Sequence, residues 1–350
     1  MTAIGGLLHG ALNLAGRLVR PIDPGAFRLF LAMLVFVHHF SRLALGSYAV
    51  MTFFVLSGYW VQTMWVNKYR HTRSPYWTYI VSRFWRLIPL LLLVSLLMLV
   101  ARAVLGQLPG DLVQSDPRHL AVSSLVLLGY AQLPVGLVGP AWSLDIEMQF
   151  YLVAPLIAAI AASRWFRPFV VLTLAGSLLW ALVGLPLSLG NYLAFFVIGV
   201  AAARFAWRPS ARIAWVSALT TGGLVLALIL SPWRDLVLGG AHRGPLFVYN
   251  EHLCALLTVL TVPFAIHTVT RASDPTDRMM ADLSYAIYLV HAIAVLWFYQ
   301  VSGPFTQRLQ VAAISFAVVP IVSWLTWRYF DKPVNRARNA WVNSRLREGA

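Results

Sequence analysis

Apolar runs of 16 to 22 residues recur from one end of the chain to the other, separated by short polar or basic stretches. At about 1.5 Å per residue, each such run is about long enough as a helix to cross a hydrocarbon core roughly 30 Å thick. The pattern predicts ten spans, over residues 27–45, 48–66, 84–105, 142–162, 169–187, 192–207, 213–231, 251–269, 283–301 and 311–329. A further apolar stretch, 119–133, is short and runs into the Pro and Gly rich segment Leu133-Pro-Val-Gly-Leu-Val-Gly-Pro-Ala141. It reads as a partial or re-entrant element dipping in from the outer side, because counting it as a full span inverts every later helix. The predicted fold class is all-α: a polytopic membrane helix bundle of about ten transmembrane helices plus one re-entrant or partial helix.

Charge fixes the expected orientation. Placing both termini in the cytoplasm leaves only Arg42, Arg102, Arg118, Arg234, Arg243 and Arg308, of 27 Lys and Arg, outside or near the outer face. That asymmetry is the one expected of a membrane protein. The net charge of +15 therefore needs no nucleic-acid partner, and with 59% hydrophobic and 11% charged residues none is expected. Three segments are anticipated: an uncleaved amphipathic cytoplasmic lead-in over 1–26, a transmembrane domain over 27–333 and a basic cytoplasmic tail over 334–350. The single cysteine, Cys254, lies in an apolar run and reads as a buried structural thiol; no metal-ligand cluster is expected.

Within the first run, Arg28 and His39 stand eleven residues apart. At about 100° per residue that is close to three turns, so both side chains fall on one helix face, roughly 16 Å apart along the axis. A cation at the inner edge and an imidazole near mid-depth are expensive in lipid, and such pairs mark functional sites. His38 is rotated off that face and reads as a helix-packing residue. Farther on, Ser57-Gly58 within Thr52-Phe-Phe-Val-Leu-Ser-Gly-Tyr-Trp-Val61 reads equally as a close helix contact or as part of a site.

The order Arg28, His39 and then Phe-Phe-Val-Leu-Ser-Gly resembles the membrane acyltransferase-3 family. So do four later elements: Tyr79-Ile-Val-Ser-Arg-Phe-Trp-Arg-Leu-Ile-Pro89, Ala141-Trp-Ser-Leu-Asp-Ile-Glu-Met-Gln-Phe-Tyr-Leu152, Leu283-Ser-Tyr-Ala-Ile-Tyr-Leu-Val-His291 and Tyr329-Phe-Asp-Lys-Pro333. The five stand in the family's order and cover the chain from Arg28 to Pro333. The resemblance implies an integral, multi-pass O-acyltransferase of a bacterial cytoplasmic (inner) membrane. It implies acyl-coenzyme A, usually acetyl, as a cytoplasmic donor substrate rather than a tightly bound cofactor. The acceptor it implies is a hydroxyl on a cell-envelope or exported carbohydrate: an exopolysaccharide, an O-antigen or a lipid-linked sugar. Besides donor, glycan or glycolipid and membrane lipid, polysaccharide-assembly proteins are expected partners.

Several residues acquire roles under that resemblance. Acyl transfer to an alcohol needs a base, and the imidazole of His39 is suited to it. Arg83 and Arg86, three residues apart on one helix face, are suited to the phosphates of the donor, since guanidinium groups make paired, charge-assisted hydrogen bonds to phosphate. Anchoring of orientation is their alternative. Arg28 is expected to meet the donor's pantetheine or phosphate. Glu147 occupies the family's acidic position and is expected to orient the acceptor or His39, whereas Asp145 reads as an outer-edge polar residue. Ser57, Trp142, Ser143, Tyr151 and His291 are acceptor-side or supporting candidates, with Trp142 suited to stacking on a sugar. For His291 an interhelix hydrogen bond is an equal alternative. Asp331, Lys332 and Pro333 read as a structural stop to the last span. Glu251 and His252 stay open between a cavity wall and a plain helix start. With no fused carbohydrate-handling domain in view, the acceptor is expected to be met by membrane-embedded and loop surfaces or by a separate partner. Two other functions remain: acylation of a small secondary metabolite or lipid, and a non-enzymatic sugar-lipid transporter, against which the lack of a convincing inverted repeat argues.

Overall fold

The computed structural model describes residues 22–105, 117–133, 136–183, 186–240 and 243–348. The lead-in expected over residues 1–26 falls mostly outside them. Regular structure among the described residues is helical, apart from one isolated antiparallel bridge between Leu43 and Leu238. The α-helices run in the order α1 (Pro24–Phe40), α2 (Gly46–Asn67), α3 (Pro75–Val104), α4 (Pro117–Val126), α5 (Trp142–Ala161), α6 (Phe166–Val183), α7 (Leu189–Arg204), α8 (Ala211–Leu230), α9 (Asn250–Val269), α10 (Pro275–Gln300), α11 (Phe305–Thr326) and α12 (Lys332–Arg347). Seven segments, those of α2, α3, α5, α8, α9, α10 and α11, are long and apolar enough to cross a membrane. The shorter apolar helices α1, α6 and α7 complete the ten predicted spans. The protein is an all-α polytopic membrane helix bundle. The end carrying most Lys and Arg is called the inner end below.

Boundaries follow local chemistry. Proline occupies the first turn of α1, α3 and α10, where its missing N–H is no loss. The start of α10 is fixed further by Asp274, whose carboxylate accepts from the Asp277 backbone N–H at 2.7 Å. Helix α3 therefore begins nine residues before the predicted span at 84, and carries Arg83 and Arg86 inside the bundle. The stretch predicted as a partial element is the ten-residue α4, about 15 Å long, followed by a 3₁₀ turn at Tyr130–Gln132.

Two readings need correction. Asp145, in the first turn of α5, is not a surface polar residue: it is fully buried, and its carboxylate accepts from the Ala131 backbone N–H at 2.8 Å and the Gln149 side-chain amide at 2.9 Å, pinning that 3₁₀ turn to α5. Pro333 does not stop the chain. After α11 a single π turn, Trp327–Asp331, shifts the hydrogen-bond register, and α12 continues with Pro333 in its first turn. The expected tail is thus a helix docked on the bundle, its Trp341 ring 6.0 Å from that of Trp85 and Val342 buried.

The bundle centres on α2, which lies against α1, α5, α7 and α9. Gly58 of α2 and Gly199 of α7 allow that approach, because a methyl at either would run into a carbonyl of the other helix, at Phe196 and Val55 respectively. Gly58 is therefore a packing contact. Phe196 stacks on Phe54 at 4.6 Å and on Phe150 at 4.1 Å, tying α7 to α2 and α5. Helix α1 packs along α10 and ends early, at Phe40. Its connection to α2 is covered by an outer loop through hydrogen bonds from Ala44 N to Val237 O and from Gly239 N to Arg42 O, both 2.7 Å.

Candidate functional site

A cavity of about 400 Å³ opens among α1, α2, α3, α5, α10 and α12. Arg28, Ser57, Arg83, Arg86, Ser143, Glu147 and Tyr151, drawn from four different helices, all line it. Helix geometry explains the convergence. Arg83 and Arg86 share one face of α3, and Ser143, Glu147 and Tyr151, four residues apart, form one stripe on α5.

Toward the inner end the cavity is cationic. Arg83 is buried, donates to the Tyr69 hydroxyl at 2.8 Å, and has its guanidinium 5.2, 5.4 and 5.6 Å from the ring centres of Tyr69, Tyr79 and Tyr151. Three aromatic faces stabilise a cation that no carboxylate reaches. Arg86 is different: it meets Asp282 and Asp331, each at 3.4 Å. Asp282 also accepts from the Trp327 indole at 3.3 Å. Five cations line the cavity (Arg28, Lys68, Arg83, Arg86 and Arg338) against two carboxylates, Glu147 and Asp282. Among the described residues no ion pair reaches Arg28, Arg83 or Arg338, and the Nε of each is buried without a hydrogen-bond partner.

Higher in the cavity Glu147 accepts from Ser57 Oγ at 2.7 Å and from the Tyr151 hydroxyl at 2.6 Å, both on Oε1. Ser143 and Tyr288 share a 2.6 Å hydrogen bond, and Tyr288 donates to Pro140 O at 3.0 Å. Tyr285 donates to Leu87 O at 2.7 Å, joining α10 to α3.

The two candidate histidines stand beside the cavity and are not part of its lining. The His39 ring is 5.3 Å from that of His291 and 4.9 Å from that of His38. His291 is fully buried; its Nδ1 donates to Ile287 O at 3.0 Å, which leaves Nε2 as an acceptor, and that atom is buried without a partner. The Tyr288 ring, which lines the cavity, lies 6.1 Å from the His291 ring, so this tyrosine stands as the partition between the cavity and the histidines. His39 is half-buried in the last turn of α1. It is nonetheless recessed, because its neighbour His291 lies nine residues, about 13 Å, before the end of α10. His38 donates to or accepts nothing in the cavity and bonds Leu43 O through Nδ1 at 3.3 Å, closing the α1–α2 turn. Trp142 is also outside the lining and packs on Tyr192 at 5.7 Å; the Tyr192 hydroxyl donates to Glu251 at 2.9 Å.

Several lining residues escape a reading by sequence. Tyr69 sits in the turn after α2, Asp282 and Tyr288 on α10, and Asn335, Arg338 and Asn339 on α12. The run Ser284, Tyr285, Tyr288, His291 has the spacing of one helix face and held the available signal for Tyr288. A family model described as an acyltransferase domain, that of the acyltransferase-3 family, matches residues 22–328. No curated protein and no solved structure matches the chain.

Proposed function

The chain belongs to the acyltransferase-3 family, and from that premise we propose that this integral membrane acyltransferase moves an acyl group, most simply acetyl, from cytoplasmic acyl-coenzyme A to a hydroxyl of a cell-envelope or exported carbohydrate at a bacterial inner membrane. The observation that carries the reading is the distribution of charge in one cavity. Guanidinium groups without carboxylate partners line its inner part, and hydroxyl and carboxylate groups line the rest. A thioester with several phosphates at one end and a small reactive acyl group at the other has the same polarity.

Under this reading Arg28, Arg83 and Arg86 hold the donor's phosphates, and its narrow acyl end extends past Ser143 and Tyr288 toward His39. The acceptor comes from the outer side, where Glu147 or the half-buried His39 orients its hydroxyl. His39 takes the hydroxyl proton as the acceptor oxygen bonds to the thioester carbonyl carbon. Collapse of the tetrahedral intermediate breaks the carbon–sulfur bond, and the proton passes to the leaving sulfur, so coenzyme A departs as the thiol. Transfer through an acylated His39 balances equally. Single-turnover labelling with radioactive donor and no acceptor separates the two, since only the relay leaves label on the protein.

The direct test is coenzyme A release by purified protein in lipid nanodiscs with an envelope-glycan acceptor. Acetyl-, succinyl- and longer acyl donors are compared in the wild type and in His39→Ala. Acceptor-dependent thiol release that is lost in the variant is expected. Absence of release with every donor and acceptor sinks the reading.

A further inference from the structure

We infer that α12, which lies beyond the matched acyltransferase domain, forms part of the donor site, with Arg338 binding a phosphate of the donor's nucleotide. This rests on the donor reading above. Helix α12 is fixed in place: Arg73 N donates to Arg345 O at 3.2 Å, Lys68 Nζ to Asn343 at 3.1 Å, and Asn335 Nδ2 to Asp331 O at 2.9 Å. Its position brings Asn335, Arg338 and Asn339 into the cavity wall together with Lys68.

What that wall offers is unfinished hydrogen bonding. Arg338 reaches Asn339 Oδ1 through Nη2 at 3.2 Å, but its Nε is buried without a partner, and no carboxylate pairs with it among the described residues. Buried donors left unpaired are costly, and a guanidinium edge presenting Nε–H beside an Nη–H is the geometry that grips two oxygens of a phosphate. Arg83, on the same cavity, also has an unpartnered Nε. Two uncompensated cations in one small space call for an anion.

Asn335 narrows the choice. Its Nδ2 is committed to Asp331 O, and its Oδ1 is buried without a partner. That oxygen is an acceptor, so it needs a donor that a fully ionised phosphate ester does not supply. A ribose hydroxyl or an adenine amino group on the same ligand does. The pair therefore favours a nucleotide phosphate over a bare lipid phosphate.

The test is calorimetric binding to the full chain in nanodiscs, using coenzyme A, adenosine 3′,5′-bisphosphate, inorganic phosphate and pantetheine as probes. Arg338→Ala and Arg338→Gln are expected to weaken coenzyme A and the bisphosphate about tenfold or more, and to leave pantetheine unchanged. Arg338→Lys should recover part of the loss, since an ammonium restores charge without the fork. Arg336→Ala, exposed on the same helix, should bind as the wild type does. Unfolding midpoints of the variants monitor the fold. Wild-type affinity for coenzyme A in both Arg338→Ala and Arg338→Gln overturns the inference and leaves the donor reading standing. So does an equal loss for pantetheine, which means that the helix has merely shifted, and inorganic phosphate binding as tightly as the bisphosphate removes the nucleotide. A wild type that binds none of the four probes sinks the donor reading as well.

Discussion

At the inner end of the cavity, guanidinium groups are stacked on tyrosine rings or left with unpartnered nitrogens, whereas across Tyr288 the His291 ring packs on those of His39 and Phe36, and His39 on His38. The first region is a charged cavity of about 400 Å³; the second holds one imidazole nitrogen buried without a partner. Under the proposed function, the difference teaches how one bundle could keep two incompatible chemistries apart. Phosphate binding needs fixed positive charge, while a general base needs a neutral imidazole, and positive charge close to that imidazole disfavours its taking a proton. On that proposal, Tyr288, which lines the cavity and lies 6.1 Å from the His291 ring, keeps the phosphate-binding cations apart from the base.

The largest expected effect removes the base and leaves the cation cavity intact. His39→Ala should lower kcat by about 10²- to 10⁴-fold, the usual range for loss of general-base catalysis. Coenzyme A affinity, measured without acceptor, should be roughly unchanged. A matching loss of affinity would merge the two compartments into one and break the comparison.

Next in size is Arg86, the cavity guanidinium that has carboxylate partners among the described residues. Arg86→Ala leaves Asp331, with 3% of its side chain exposed, and Asp282 without their cation. Breaking such a pair from one side costs about 3 kcal/mol of stability or more, readable as the unfolding midpoint of ligand-free protein. Arg86→Gln combined with Asp331→Asn should recover part of it, because no isolated buried charge then remains. Arg83→Gln, with no carboxylate to strand, should cost less stability than Arg86→Ala while still weakening coenzyme A. The order of these two variants in stability sharpens the contrast between a cation that also holds the fold together and one directed at the ligand alone.

Length and hydropathy made the ten spans legible, since each apolar run is a helix and only the ends moved, at places where a proline or a capping Asp set the first turn. The lining residues on α1, α2, α3 and α5 were also within reach, because each lies in a short ordered motif whose helical spacing fixes its face. Asn335, Arg338 and Asn339 were not. They stand in a basic stretch whose composition is that of an orienting tail, and the contacts that dock it beside α3 join distant parts of the chain. Asp145 misled for a related reason: its partner, the Ala131 N–H, lies in an irregular turn that periodicity cannot place. The partition at Tyr288 depends on Pro140 and Ser143, carried by a different part of the chain, and contacts of that separation leave no local trace.

The smallest effect is expected at that partition. Tyr288→Phe keeps the ring between the cavity and His291 but deletes its hydroxyl, and with it the bonds to Ser143 and Pro140 O. Two hydrogen bonds worth about 1 kcal/mol each net suggest a modest fall in unfolding midpoint. Pro140 O still accepts from Ser143 Oγ at 3.1 Å, so no buried acceptor is stranded and the loss should lie at the low end. For catalysis the ring matters more than its oxygen if it only divides space: kcat should then change less than about threefold, well below 1 kcal/mol, with coenzyme A affinity untouched. Tyr288→Ala removes the divider itself, and should raise acceptor-independent hydrolysis of the thioester by giving water a path from the cavity to the histidines. A Tyr288→Phe variant as inactive as His39→Ala would instead make the hydroxyl a proton-carrying member of the site, and the wall between the two compartments would be part of the chemistry it separates.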